Sequence, residues 1–297
     1  MTTLKPPPTR PGPPPARSGP SSALVPATPR TLTVAKAAPL VVRLVEYAVE
    51  GFGKTTLGMH APDPVLFQAR GELGYQTLLN AGRAPEIPAP VIDSWIDLLS
   101  WLDVLIDDQQ GRKTLVFDAL GGFERLCHEH VCRTYFENDW GDSGFMSYHK
   151  GYDVSVGEWL KLLQRLDRLT ALGLSVVFLG HARVKPFKNP LGADFDRYEC
   201  DVHAKTWAVT AKWCDAVLFG NFYSVIETKK RDKGNVADKK GKGIGGTSRV
   251  LYTERRDAFD AKNRFGMTKE LWLPEDPAQV WPTVWTEITR NKQEAQQ

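Results

Sequence analysis

No acidic residue precedes Glu46, whereas Lys5, Arg10, Arg17, Arg30, Lys36 and Arg43 are basic. Ten of the 21 prolines fall within residues 1–30. A segment of this composition has too little apolar surface to offset its ordering entropy. Residues 1–38 are therefore expected to be a disordered, Pro-rich basic tail. The chain also lacks any apolar run near the ~18–20 residues that cross a bilayer. It shows no apolar N-terminal stretch of the signal-peptide kind, so a cytoplasmic protein is expected. Cysteine is scarce. Four in 297 residues do not make a disulfide framework. The cluster Cys127-His128-Glu129-His130-Val131-Cys132 has no second ligand pair at zinc spacing, and is expected to be ordinary helix. The net charge of +3 names no partner by itself, and no internal repeat is visible.

What is present reads as one α/β domain over residues 39–287, followed by a polar tail over 288–297. The chain is 42% hydrophobic and 25% charged, enough for a sizeable core. Apolar runs predict strands over residues 40–47, 65–67, 114–117, 174–179 and 216–219. Helical spacing of Trp95, Leu98, Leu99, Leu102 and Leu105 predicts one helix behind Asp93 or Ser94. Trp159, Leu162, Leu163, Leu166 and Leu169 predict another. Strands alternating with helices imply a mostly parallel sheet. Residues 223–228 and 249–253 read as paired strands at its edge, around a Lys/Gly-rich loop over 229–247.

The segment Ala48-Val49-Glu50-Gly51-Phe52-Gly53-Lys54-Thr55 lies between a strand and a helix and fits a P-loop, with Ala48 in place of the first glycine. Inward N–H groups of such a loop cradle phosphate oxygens. Gly51 and Gly53 permit close backbone approach. Lys54 reaches the β- and γ-phosphates, Thr55 offers a hydroxyl to Mg²⁺, and Thr56 continues into the helix. Asp118, ending the strand Leu115-Val116-Phe117, is expected to hold Mg²⁺ from the Walker-B position. Strand ends converge on the ligand crevice of a parallel sheet. Glu72, after the second strand, is the expected base, and His181, ending the fourth, the expected γ-phosphate sensor.

The order of these parts resembles the RecA-like P-loop ATPases. It looks most like the phage AAA-type ATP-binding proteins, including the single-strand annealing ATPases. The resemblance is carried by Glu50 to Thr56, Leu115 to Asp118, Lys150-Gly151-Tyr152, Gly180 to Lys185, Phe187 to Pro190, Asp196 to Glu199 and Asp260 to Gly266. It implies an ATP- and Mg²⁺-dependent, DNA-stimulated ATPase acting on single-stranded DNA in recombination, in the host cytoplasm, with a single-strand-binding protein as a further partner. It also implies homo-oligomers with ATP at subunit interfaces, where Lys262 and Arg264 match the basic residues supplied by a neighbour. Gln68-Ala69-Arg70 stands where many of the relatives have acidic residues. Two loops, over 139–156 and 182–203, are expected to face DNA. Lys150, Arg183, Lys185, Lys188 and Arg197 are the expected phosphate contacts, and Phe187 a stacking ring. The alternatives are another RecA-fold motor of helicase or packaging type, and an annealing module with a non-hydrolysing nucleotide site.

Overall fold

The computed structural model describes Val34 and residues 38–227 and 242–294. The expected basic tail and the charged tip of the Lys/Gly-rich loop, including Lys229, Lys230, Arg231, Lys233, Lys239 and Lys240, lie outside these residues. The chain divides into two units, residues 1–38 and 39–297. The second unit holds all of the described helices and strands.

The elements in chain order are β1 (Arg43–Ala48), α1 (Lys54–Met59), β2 (Pro64–Ala69), α2 (Gly74–Asn80), β3 (Val91–Ile92), α3 (Trp95–Asp107), β4 (Thr114–Asp118), α4 (Leu120–Tyr135), α5 (Lys150–Ala171), β5 (Ser175–Phe187), β6 (Phe195–Cys200), α6 (Ala204–Trp213), β7 (Ala216–Glu227), β8 (Lys242–Tyr252), β9 (Lys262–Asn263), β10 (Glu270–Leu273) and α7 (Val280–Glu294). The sheet runs β10-β8-β7-β1-β5-β4-β2-β3, with β6 on β5 and β9 on β7. β7, β1, β5, β4, β2 and β3 are parallel. β8, β10, β6 and β9 join antiparallel. This is the expected α/β class. The β5 strand separates β1, which leads into the P-loop, from β4, which ends in Asp118.

Alternation along β1 builds the core on both sheet faces. Val45 and Tyr47 enter the cluster covered by α3–α6. Leu44 and Ala48 enter the one covered by α1 and α7. Ser94 caps α3 by accepting from Asp97 N at 3.1 Å. Trp95 then stacks on Trp159 of α5 at 5.7 Å, and Trp159 Nε1 donates to Thr210 Oγ1 at 2.9 Å. A buried indole N–H usually finds such a partner.

Four expectations are corrected. The loop over 139–156 ends early, because α5 begins at Lys150. The loop over 182–203 is mostly a hairpin, with β5 continuing to Phe187 and Ala182 paired to Cys200. Residues 216–219 and 223–227 belong to one strand, β7, broken only by a register shift between Phe222 and Ser224. The polar tail over 288–297 is helix as far as Glu294, with Ile288 in the core. There the spacing of Val280, Trp281, Val284 and Ile288 outweighs the polar composition of the other faces.

Candidate phosphate-binding site

The β1 strand leaves the sheet at Ala48, and the chain turns back into α1 through Gly51 (φ 71°) and Gly53 (φ 103°). Both need the left-handed region that glycine adopts freely. The α1 helix has only six residues, so the loop's own N–H groups matter more than a helix dipole. Phe52 is buried and meets Phe222 edge-on at 6.1 Å. It anchors the loop, and only its backbone is left to face a phosphate. Glu50 is exposed, and Thr56 is half-buried one turn into α1.

Lys54 is 7% exposed. Its Nζ has two long contacts, to Ala48 O at 3.4 Å and Val49 O at 3.3 Å. Burial lowers its pKa, while Glu46, Asp118, Glu50 and Glu72 pull the other way. Thr55 Oγ1 donates to Asp118 Oδ2 at 2.7 Å. Residues 63 positions apart are thus joined at the loop mouth. Burial raises the Asp118 carboxyl, and the Thr55 bond opposes it. Hydroxyl and carboxylate together offer the hard oxygen donors that magnesium takes, so these residues fit that ion.

The turn holding Glu72 lies against this pair. A Cβ at Gly74 would sit 3.4 Å from Thr55 Oγ1. Glu72 acts electrostatically on both Asp118 and Lys54. His181 stands beside Ala48 in the β1–β5 register. Loss of solvent lowers its pKa first, and Lys54 lowers it further. Lys54, Thr55, Glu72, Asp118 and His181 therefore converge.

Lys262 and Arg264 do not join them. Lys262 Nζ donates to Ala211 O at 2.8 Å, Lys212 O at 3.3 Å and Cys214 O at 2.5 Å, closing the C-terminus of α6. Arg264 Nη1 pairs with Asp215 Oδ1 at 3.1 Å. Both sit where β7 begins, at the sheet end opposite the loop. Within the chain both are therefore engaged away from its own loop, and their expected place at a neighbour's nucleotide belongs to the assembly proposed below.

The expected DNA contacts divide as well. Arg197 is 5% exposed, ion-paired to Asp260, and lies over the Phe187 ring at 5.2 Å. It is a packing residue, and it covers a face of Phe187, which also meets Phe195 at 5.2 Å. Arg183 braces the hairpin through Asp201 Oδ1 and Val202 O, both at 2.7 Å. Lys150 and Lys188 are exposed, and Lys185 is half-buried 3.9 Å from Glu199. Tyr152 of α5 stacks on His203 at 3.9 Å, so the two expected DNA segments meet. Beside them Tyr148 is 92% exposed. No metal-holding cluster exists among the described residues, and Cys127 and Cys132 are buried free thiols on α4.

Two residues at the site were not anticipated. Glu46 is buried beneath the loop, and its only sequence signal is a charge inside an apolar strand. Arg249 of β8 donates from Nη1 to Phe52 O at 3.2 Å and from Nη2 to Pro274 O at 2.5 Å. No local pattern marks Arg249, which arrives through sheet pairing.

A model of the AAA domain matches residues 41–265. The chain belongs to the AAA domain family. The glycine loop, Lys54, Thr55 and Asp118 all lie within the matched residues. Among solved structures, this AAA domain is similar to a prototypical ATPase from the type III secretion system of pathogenic bacteria, at 13% identity and TM-score 0.37, over 60% of this chain and 51% of that one. It is also similar to the flagellar accessory protein FlaH from Methanocaldococcus jannaschii, at 7% identity and TM-score 0.36, over 78% of this chain and 86% of that one. The AAA chain thus spans about half the length of the secretion ATPase. No curated protein matches its sequence. None of its helices, among the described residues, is long and apolar enough to cross a membrane.

Proposed function

We propose that this AAA domain binds and hydrolyses ATP with Mg²⁺. The 2.7 Å bond from Thr55 Oγ1 to Asp118 Oδ2 carries the reading, because it joins the P-loop to the Asp118 strand end. In the proposed site the backbone of residues 49–54 cradles the phosphates. Lys54 swings from the Ala48 and Val49 carbonyls to the terminal phosphates. Thr55 and Asp118 would hold the ion, which would supply neutralisation of phosphate charge when bound. Glu72 orients the attacking water and takes its proton. His181 reads the presence of the terminal phosphate and passes it to the β5–β6 hairpin, which continues from its own strand. The test is phosphate release from ATP with and without Mg²⁺, by wild type and Glu72→Gln. A Glu72→Gln protein with wild-type turnover loses Glu72 its role.

We further propose single-stranded DNA as the partner of the surface formed by the α5 start and the hairpin. Tyr148, Lys150 and Lys188 are its exposed groups, and the Tyr152–His203 stack supports one continuous face. Stacking on Tyr148 is expected to contribute ~1–3 kcal/mol per base. Each lysine–phosphate contact removed should flatten the salt dependence by ~0.7 log units per log unit of salt. Anisotropy of a labelled oligonucleotide, with ATP, with ADP and without nucleotide, tests both. Equal weak binding in all three states, unchanged by Tyr148→Ala and Lys188→Ala, rules this partner out. Assembly of copies around shared nucleotide sites is part of the same proposal, and sedimentation with and without ATP tests it.

A further inference from the structure

A carboxylic acid lies directly beneath the phosphate loop with nothing to bond to. Glu46 is 1% exposed, and neither Oε1 nor Oε2 has a hydrogen-bond partner. It sits on β1, two residues before Ala48, on the sheet face that α1 covers. The strands on either side place Leu179 and Leu218 in register with it, so neither supplies a donor. Three charged groups act on it: Lys54 from α1, Arg249 from β8 and Asp118 from β4. Lys54 is the largest of these, and Glu46 is in turn the carboxylate that acts most on Lys54.

The two groups have complementary deficits. The Lys54 ammonium is buried with only two long acceptors. The Glu46 oxygens are buried with no donor. An ionised Glu46 holds the Lys54 charge inward and adds a negative charge below the loop. An incoming phosphate brings further negative charge and needs the same ammonium. Two anions cannot share one buried cation without a large desolvation and repulsion cost.

Resting on the ATP reading above, we propose that Glu46 is a positioning residue for Lys54, which must take up a proton for the loop to hold a nucleotide phosphate. Its protonated form releases Lys54 towards the ligand. Its ionised form retains Lys54 and repels the ligand. Arg249, bonded to the Phe52 carbonyl, tunes this balance from the other side of the loop.

Burial already pushes the carboxyl up to about 8 in the free protein, and a bound phosphate raises it further. Nucleotide affinity is therefore level below that pH and falls above it, with a limiting slope of about tenfold per pH unit for one linked proton. The probe is MgADP, whose phosphates are ionised throughout pH 7.5–9.5. Calorimetry of wild type in two buffers of different ionisation enthalpy should give net proton uptake near pH 8.5. Glu46→Gln should bind at least as tightly as wild type at pH 9, without that uptake. If Glu46→Gln does not fold, Arg249→Met serves, because loss of this cation moves the break in the wild-type profile to higher pH. Equal uptake in wild type and Glu46→Gln would assign the proton to Lys54 and overturn the proposal, as would an unmoved break in Arg249→Met. Failure to bind MgADP at any pH would overturn the ATP reading itself. Binding without proton uptake would overturn only the role of Glu46.

Discussion

The two ends of the parallel sheet carry similar residues in opposite conditions. Where β1 and β7 begin, Asp215 accepts from Arg43 Nη2 at 2.8 Å, Arg43 Nε at 3.0 Å and Arg264 Nη1 at 3.1 Å. Lys262 is closed onto three carbonyls. Where β1 and β4 end, Lys54 has two long contacts, Glu46 has none, and burial raises Asp118. Polar groups buried without full partners are costly and are normally avoided. Arg183 Nε and Arg197 Nε in the hairpin are also buried without partners, but among the described residues only under the loop do a carboxyl and an ammonium face each other incompletely bonded, which marks where a charged ligand completes the structure. Complete pairing at the other end marks architecture. A basic residue is thus informative by what it has left unpaired, and Lys54 and Lys262 differ in that respect.

The comparison breaks most visibly in a pair of lysine substitutions. Lys54→Ala removes the cation that faces phosphate, and should lower ATP turnover by a factor of about 100–1,000 or more. Lys262→Ala should leave turnover per folded molecule unchanged, and lower stability by ~1–3 kcal/mol through three orphaned carbonyls. Single-turnover phosphate release and denaturant melts on both proteins separate these outcomes. A folded Lys262→Ala protein without turnover would restore Lys262 as a residue offered to a neighbouring site.

Next in size is Asp118→Asn. The amide keeps a contact with Thr55 but loses the charge that holds a divalent ion. Mg²⁺-dependent turnover should drop by about 100-fold, with the Mg²⁺ concentration needed for half activity shifted upwards. A titration with Mg²⁺ at saturating ATP measures it. An unchanged midpoint would take Asp118 out of the ion site and leave its bond to Thr55 purely architectural.

The sequence reveals the fold where one local pattern decides an element. The apolar strands and the Trp95 to Leu105 stripe behind Asp93 or Ser94 are of that kind, and so is the glycine loop, whose Thr55 the fold brings to Asp118. Elements whose partner is distant in sequence were not legible. The β5–β6 hairpin was expected as a loop because the resemblance places one after that strand, yet β5 runs on to Phe187 and Arg197 is buried against Asp260. Lys262 and Arg264 were likewise matched to their role through the resemblance. An ion pair within the chain and one across an interface use the same side chains, and only tertiary structure assigns them. Arg249 is the reverse case, an ordinary-looking position that sheet pairing brings to the Phe52 carbonyl.

The smallest expected effect concerns the paired end and its response to acid. Arg43 and Arg264 hold the Asp215 carboxyl below the usual carboxylate range, against the opposing effect of burial. A carboxylate whose folded value is depressed contributes stability above its unfolded value, near 4. That contribution is lost as pH falls through the lower folded value. Asp215→Asn keeps the shape and removes the charge. The wild type should exceed it by on the order of 1 kcal/mol from about pH 5 upwards, since the pair is partly open to solvent. The gap should narrow below about pH 4 and close with further acid. Melts of both proteins across pH 2.5–7 follow it. A gap that stays constant to the lowest pH would mean that Asp215 acts through hydrogen bonds an amide cannot copy. A gap that instead widens in acid would contradict the ion pair, and with it the claim that charges at this end are balanced while those under the phosphate loop are not.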